Sequence, residues 1–97
     1  MEYKITWSNE AYIDLDEIRV YLEEFSLQTA HRILRRIMTQ ASRLASFPYR
    51  CPLVGDDLLK RRLVVDDYSV FYVVFEDSKT VLIFRVWHHS KDIGRLV

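Results

Sequence analysis

The sequence predicts an α+β domain: an N-terminal strand, a helical hairpin, then a three-stranded antiparallel meander with the helices packed on the sheet. Three observations carry this. Apolar residues alternate over a few positions near the start. They then recur every three or four residues through two consecutive stretches separated by a short break. Three dense β-branched and aromatic runs follow, divided by short polar turns. Runs of helix and runs of strand segregated along a chain in this way give a layered α+β arrangement.

The first strand is set by Tyr3, Ile5 and Trp7 alternating with Lys4 and Thr6. Ser8 is placed to cap the helix that follows, with Glu10 in its first turn, where the helix dipole favours an acid. From Glu10 to about Glu24, Ala11, Leu15, Ile18, Leu22 and Phe25 form one apolar stripe, and the other faces carry Glu10, Asp14, Asp16, Glu17, Glu23 and Glu24. A break at Ser26 to Gln28 precedes a second helix, expected from about Gln28 to Ser46. Its core stripe is Ala30, Ile33, Leu34, Ile37, Met38, Ala41, Leu44 and Ala45, and its polar faces hold Arg32, Arg35, Arg36 and Arg43. An acidic helix joined by a short turn to a basic one predicts antiparallel neighbours with ion pairs along the seam.

Phe47-Pro48 ends the second helix, because the residue before a proline disfavours helical geometry. Tyr49 to Leu59, with Pro52 and Gly55, is the only sizeable loop expected. Strands are predicted at Lys60 to Val65, Tyr68 to Phe75 and Thr80 to His88, with turns at Asp66-Asp67 and Glu76 to Lys79. In the middle strand Tyr68, Val70, Tyr72 and Val74 share one face, and Ser69, Phe71, Val73 and Phe75 the other. Both faces are largely apolar, as expected of a central strand with helices on one side and partial cover on the other.

Length and composition bound the function. Ninety-seven residues, 49% hydrophobic and 29% charged, describe one folded domain over residues 1–97 with a modest core. Fourteen basic residues balance fourteen acidic ones, so any nucleic-acid surface must be a local patch. Cys51 is the only cysteine, which excludes an intramolecular disulfide and a cysteine zinc site. The opening MEYKITWSNEAY lacks the apolar run of a signal peptide, and the apolar stretches are strand-sized, so a cytoplasmic protein that does not enter membranes is expected. No glycine loop, HExxH or nucleophile elbow occurs, and no cofactor is implied.

The residues that could carry chemistry cluster near strand ends: Lys60, Arg61, Arg62, Tyr68, Tyr72, Arg85, His88, His89, Lys91 and Arg95. Arg61 and Arg62 are neighbours in a strand and point to opposite faces, so only one of them can join a given surface. Arg85 interrupts the apolar run VLIFRVW, where a charge is costly unless paired or partly solvated. An ion pair with Asp66, Asp67 or Glu76 and a functional role both satisfy that requirement. In the paired case, leucine in its place should leave stability nearly unchanged or raise it. His88 and His89 also project to opposite faces, which makes joint metal ligation awkward but leaves either free to move a proton near neutral pH. Tyr68 and Tyr72 share a face and could stack on bases or pack in the core.

These stretches together resemble the RelE/ParE family of toxins. The resemblance lies in Trp7-Ser8-Asn9-Glu10-Ala11 followed by Asp14 to Ile18, in Leu44 to Pro48 closing the second helix, in the strand pair Arg61 to Val74, and in the ending Arg85 to Ile93 with its Arg-x-x-His spacing. It spans almost the whole chain and implies the fold read from periodicity. It also implies a toxin neutralised by a cognate antitoxin, in a hetero-oligomer, with one of two targets, or else a family member that has lost toxicity and still binds its antitoxin. In the ParE branch the target is DNA gyrase. In the RelE branch the ribosome positions mRNA for cleavage, and Arg61, Arg62, Arg85, His88 and His89 would then be the catalytic candidates. Nuclease members place an arginine after the central-strand tyrosine, whereas here Ser69 follows Tyr68; they are commonly basic, whereas this chain is neutral. The Arg-x-x-His ending and the long hairpin look more like the ParE branch.

Overall fold

A computed structural model describes residues 2–90. Strand β1 spans Lys4–Trp7, helix α1 Asn9–Glu23, helix α2 Leu27–Ser42, and strands β2, β3 and β4 span Arg61–Val65, Tyr68–Phe75 and Thr80–His88. The second helical stretch does not run unbroken to Ser46. α2 ends at Ser42 and tightens into a 3-10 turn over Arg43–Ala45. α1 starts as the sequence suggests, the Ser8 hydroxyl accepting the Ala11 amide, while α2 begins at Leu27 within the expected break, where the Ser26 hydroxyl caps it by accepting the Thr29 amide.

The sheet order is β1-β4-β3-β2. The meander β2-β3-β4 is antiparallel, but β1 lies parallel to β4, with Lys4 to Trp7 opposite Thr80 to Ile83, so the sheet is mixed rather than purely antiparallel. The two helices that separate β1 from the meander provide the long crossover a parallel pair requires. Between Phe71 and Tyr72 the register with β4 slips: Tyr72 faces Ile83 and Phe71 faces Arg85, leaving Phe84 as an extra residue in β4.

The core lies between the helices and one face of the sheet. Ala11, Ile37, Ala41 and Leu44 pack on Leu63, Val65, Val70, Tyr72, Val81, Ile83 and Val86, all buried. On the far face a smaller cluster of Phe71, Phe84 and Trp87 is covered by Val54 from the loop before β2. That loop runs back along the outer edge of β2: Leu53 bridges to Arg61, and the Arg62 amide donates to the Pro52 carbonyl at 3.1 Å. The far face is thus partly covered, as the two-sided apolar pattern of β3 requires.

Three expectations from periodicity need correction. Phe25 and Met38, placed on the core stripes, are 70% and 45% exposed. Asp14, placed on the acidic outer face, is buried. The expected ion pairs along the helix seam do not form. Among the described residues no ion pair joins the helices, because Arg19 bonds Asp16 and Glu23 within α1 and Arg36 reaches Asp66 in the β2–β3 turn. The outer seam is instead a mostly apolar groove of about 300 Å³ lined by Tyr12, Leu15, Leu34 and Met38, with Asp16 and Arg19 at its rim.

Candidate functional site

β1 is short and leaves its side of β4 without a strand neighbour beyond Ile83, so the remaining groups on that edge need other partners. The start of α1 supplies them. The Ser8 amide donates to the Ile83 carbonyl at 2.9 Å and the Ser8 hydroxyl to the Phe84 carbonyl at 3.1 Å. Nearly two turns further on, Asp14 Oδ2 accepts the Val86 amide at 2.9 Å. The same carboxylate takes Arg85 in a two-pronged pair, Nε at 2.8 Å and Nη2 at 2.9 Å. The Arg85 guanidinium also lies over the Trp87 ring, 5.0 Å from its centre. The hydrogen bonds it donates to Asp14 hold the Arg85 pKa above its ordinary value despite partial burial. Arg85 therefore does form an ion pair, but with Asp14 of the first helix and not with Asp66, Asp67 or Glu76.

The other candidates are dispersed. Arg61 shares the helix-side face with Tyr72, donates to the Cys51 carbonyl at 2.7 Å, and lies over the Tyr49 ring at 5.1 Å. Arg62 is on the opposite face, where its Nε donates to the Ser69 hydroxyl at 2.8 Å. His88 ends β4 opposite Tyr68, with the two rings edge to face at 5.2 Å. Its Nδ1 accepts the Ser90 amide at 3.0 Å. His89 lies just beyond the strand, with its amide on the Asp67 carbonyl at 2.9 Å. Tyr72 is fully buried, and its hydroxyl donates to the Pro48 carbonyl at 2.8 Å, so it packs in the core and cannot stack on a base. Lys91 and Arg95 lie outside the described residues.

Sequence reasoning missed Asp14 and Glu76. Glu76, in the β3–β4 turn, accepts hydrogen bonds from Tyr3 at 2.8 Å and Tyr49 at 2.5 Å and is paired with Lys79. These bonds, that from Lys79 foremost, hold its carboxyl down at about 2. Among the described residues no group of three or more His, Cys, Asp or Glu could hold a metal ion, and no helix is long and apolar enough to cross a membrane.

A helical hairpin thus packs on one face of a small mixed sheet. Residues 5–93 match the family model of the ParE toxin of the type II toxin–antitoxin system parDE. Toxin RelE2 of Caulobacter vibrioides is 33% identical over 88 residues, covering 91% of this chain and 97% of that protein. The chain belongs to the RelE/ParE family of type II toxin–antitoxin toxins. Two solved structures share the fold. A chain of the chromosomal ParDE system of P. aeruginosa matches with a TM-score of 0.75 at 20% identity, covering 90% of this chain and 96% of that one. A chain of the toxin–antitoxin complex RelBE2 of Mycobacterium tuberculosis matches with a TM-score of 0.71 at 22% identity, covering 94% and 95%.

Proposed function

We propose that this toxin is ParE-like: a cognate antitoxin neutralises it, and it acts by binding a protein target, DNA gyrase, rather than by cutting mRNA. The observation that carries this reading is the separation of its basic and proton-carrying groups. A ribonuclease of this family needs guanidinium groups and a general acid or base around one scissile phosphate. Arg62 lies on one face of the sheet, Arg61 and His88 on the other, and Arg85 is engaged by Asp14. Neutral net charge and Ser69 after Tyr68 point the same way.

An antitoxin partner is supported by exposed apolar groups in the groove between the helices and along α1, where Tyr12, Ile13, Val20 and Tyr21 are about half exposed or more. Solved relatives in the RelBE2 and ParDE systems come from such pairs. A disordered antitoxin segment folding onto this surface would bury those groups at an ordering cost. The test is the order of failure after induction without antitoxin. A DNA-damage response and loss of supercoiling before any fall in protein synthesis is the expected result. Prompt arrest of translation with mRNA cut inside codons would overturn the proposal and favour the RelE-like nuclease.

A further inference from the structure

Between α1 and the ends of β3 and β4 lies a cavity of about 340 Å³ at the border of the core. Its walls are Ile18, Tyr21, Tyr68, Val86 and His88, and its polar lining includes Asp14 and Glu17. Asp14 is neutralised by Arg85, so Glu17 gives the cavity its net charge, which is negative. Tyr68 is only 4% exposed, yet among the described residues no group bonds its hydroxyl. The ring packs in the core, while the hydroxyl borders the cavity, where a donor can reach it. At the mouth, Tyr21 and Phe25 form an exposed edge-to-face pair at 5.2 Å.

We infer that this cavity is a receptor for one arginine side chain presented by a partner polypeptide, with an apolar residue beside it resting on Tyr21 and Phe25. A planar guanidinium stacks on aromatic rings, fits a carboxylate with two hydrogen bonds, and donates to a phenol oxygen. Tyr21, Tyr68 and His88 supply rings, Glu17 the carboxylate and Tyr68 the acceptor. The chain already holds two of its own arginines in this manner, Arg85 over Trp87 and Arg61 over Tyr49, at 5.0 and 5.1 Å. A peptide fits better than free arginine, whose own carboxylate would meet Glu17 with the wrong sign. The inference is independent of which antitoxin or target the toxin meets.

The test uses the full chain, titrated with N-acetyl-arginyl-leucine amide and followed by proton–nitrogen NMR. Saturable shifts confined to the signals of Ile18, Tyr21, Tyr68, Val86 and His88 are expected, with an affinity in the millimolar range, as suits so small a ligand. The citrulline analogue, the same shape without the charge, should bind about tenfold more weakly or not at all, and Glu17→Gln should weaken arginine binding by a similar factor. Tyr68→Phe should weaken it a few-fold with the fold intact by circular dichroism. Free arginine should bind less well than the dipeptide. Absence of saturable binding, equal binding of the citrulline analogue, or no effect of Glu17→Gln would each overturn the inference. Free arginine binding as tightly as the dipeptide would overturn its polypeptide part.

Discussion

Asp14 joins α1 to β4 through three hydrogen bonds, two from the Arg85 guanidinium and one from the Val86 amide. A carboxylate with 3% of its side chain exposed can stay charged only because those donors replace water. Arg85→Leu therefore strands a buried charge, and near-neutral replacement holds only when both members leave together. We expect Arg85→Leu to lower unfolding stability by about 3 kcal/mol, and the Asp14→Leu, Arg85→Leu pair to lose less than the sum of the single variants. Denaturant unfolding of the four proteins checks this, and a fully stable Arg85→Leu would refute it. A stable but non-toxic Arg85→Leu would instead assign Arg85 to the target surface. The need for a partner to Arg85 was legible from the charge inside VLIFRVW. Its identity was not, because the nearby acids in the β-turns are closer in sequence. One clue was present: Asp14 is three residues after Ala11 and four before Ile18, which is the core-facing spacing of α1.

At the level of elements, strands β3 and β4 and the start of α1 follow from local pattern, since alternation, a capping serine and turn residues act over a few neighbours. What the pattern could not convey was the long-range pairing of β1 with β4 and the way α1 finishes that exposed edge. Ser8 serves both ends of this junction, capping α1 and bonding the Phe84 carbonyl. Ser8→Ala is expected to cost about 1–2 kcal/mol, the upper range for a lost cap, whereas Ser26→Ala, which removes a cap alone, should cost less in the same unfolding assay. The three-way junction at Glu76 ties the start of β1, through Tyr3, and the loop after α2, through Tyr49, to the β3–β4 turn. Its carboxyl is held at about 2 against an ordinary 4.5, so the native state takes up its proton less readily than the unfolded chain. The stability it contributes is complete above pH about 4.5 and is lost as the pH falls toward 2. Glu76→Gln should flatten the decline of stability between pH 5 and 2, measured by urea unfolding across about that window. Because the side chain is half exposed, strong salt should flatten the wild-type decline as well. An unchanged slope in the variant would show that other carboxylates govern acid unfolding.

At the scale of the whole molecule, the question is whether the strand-end histidines act in chemistry. Resemblance put His88 and His89 among the candidates, and neighbouring positions in a strand predicted that they would not converge. In the structure the two rings nevertheless lie 6.5 Å apart, centre to centre, because His89 falls just past the end of β4; His88 is turned toward Tyr68 and Ser90, and the His89 amide bonds the β2–β3 turn. His88 lies on the face of the sheet opposite Arg62. Removing a group that transfers a proton in the rate-limiting step costs on the order of 10²–10⁴ in rate, enough to abolish growth arrest by a nuclease at ordinary expression. A toxin that works by binding loses only the contacts those rings make, a modest change when they lie away from the centre of an interface. We therefore expect the His88→Gln, His89→Gln double variant to remain toxic on induction, to keep its fold by circular dichroism, and to be rescued by the antitoxin as the wild type is. Loss of toxicity in a folded, antitoxin-binding double variant, together with intact mRNA where the wild type leaves cut messages, would mean that these histidines complete a nuclease site when the ribosome is present.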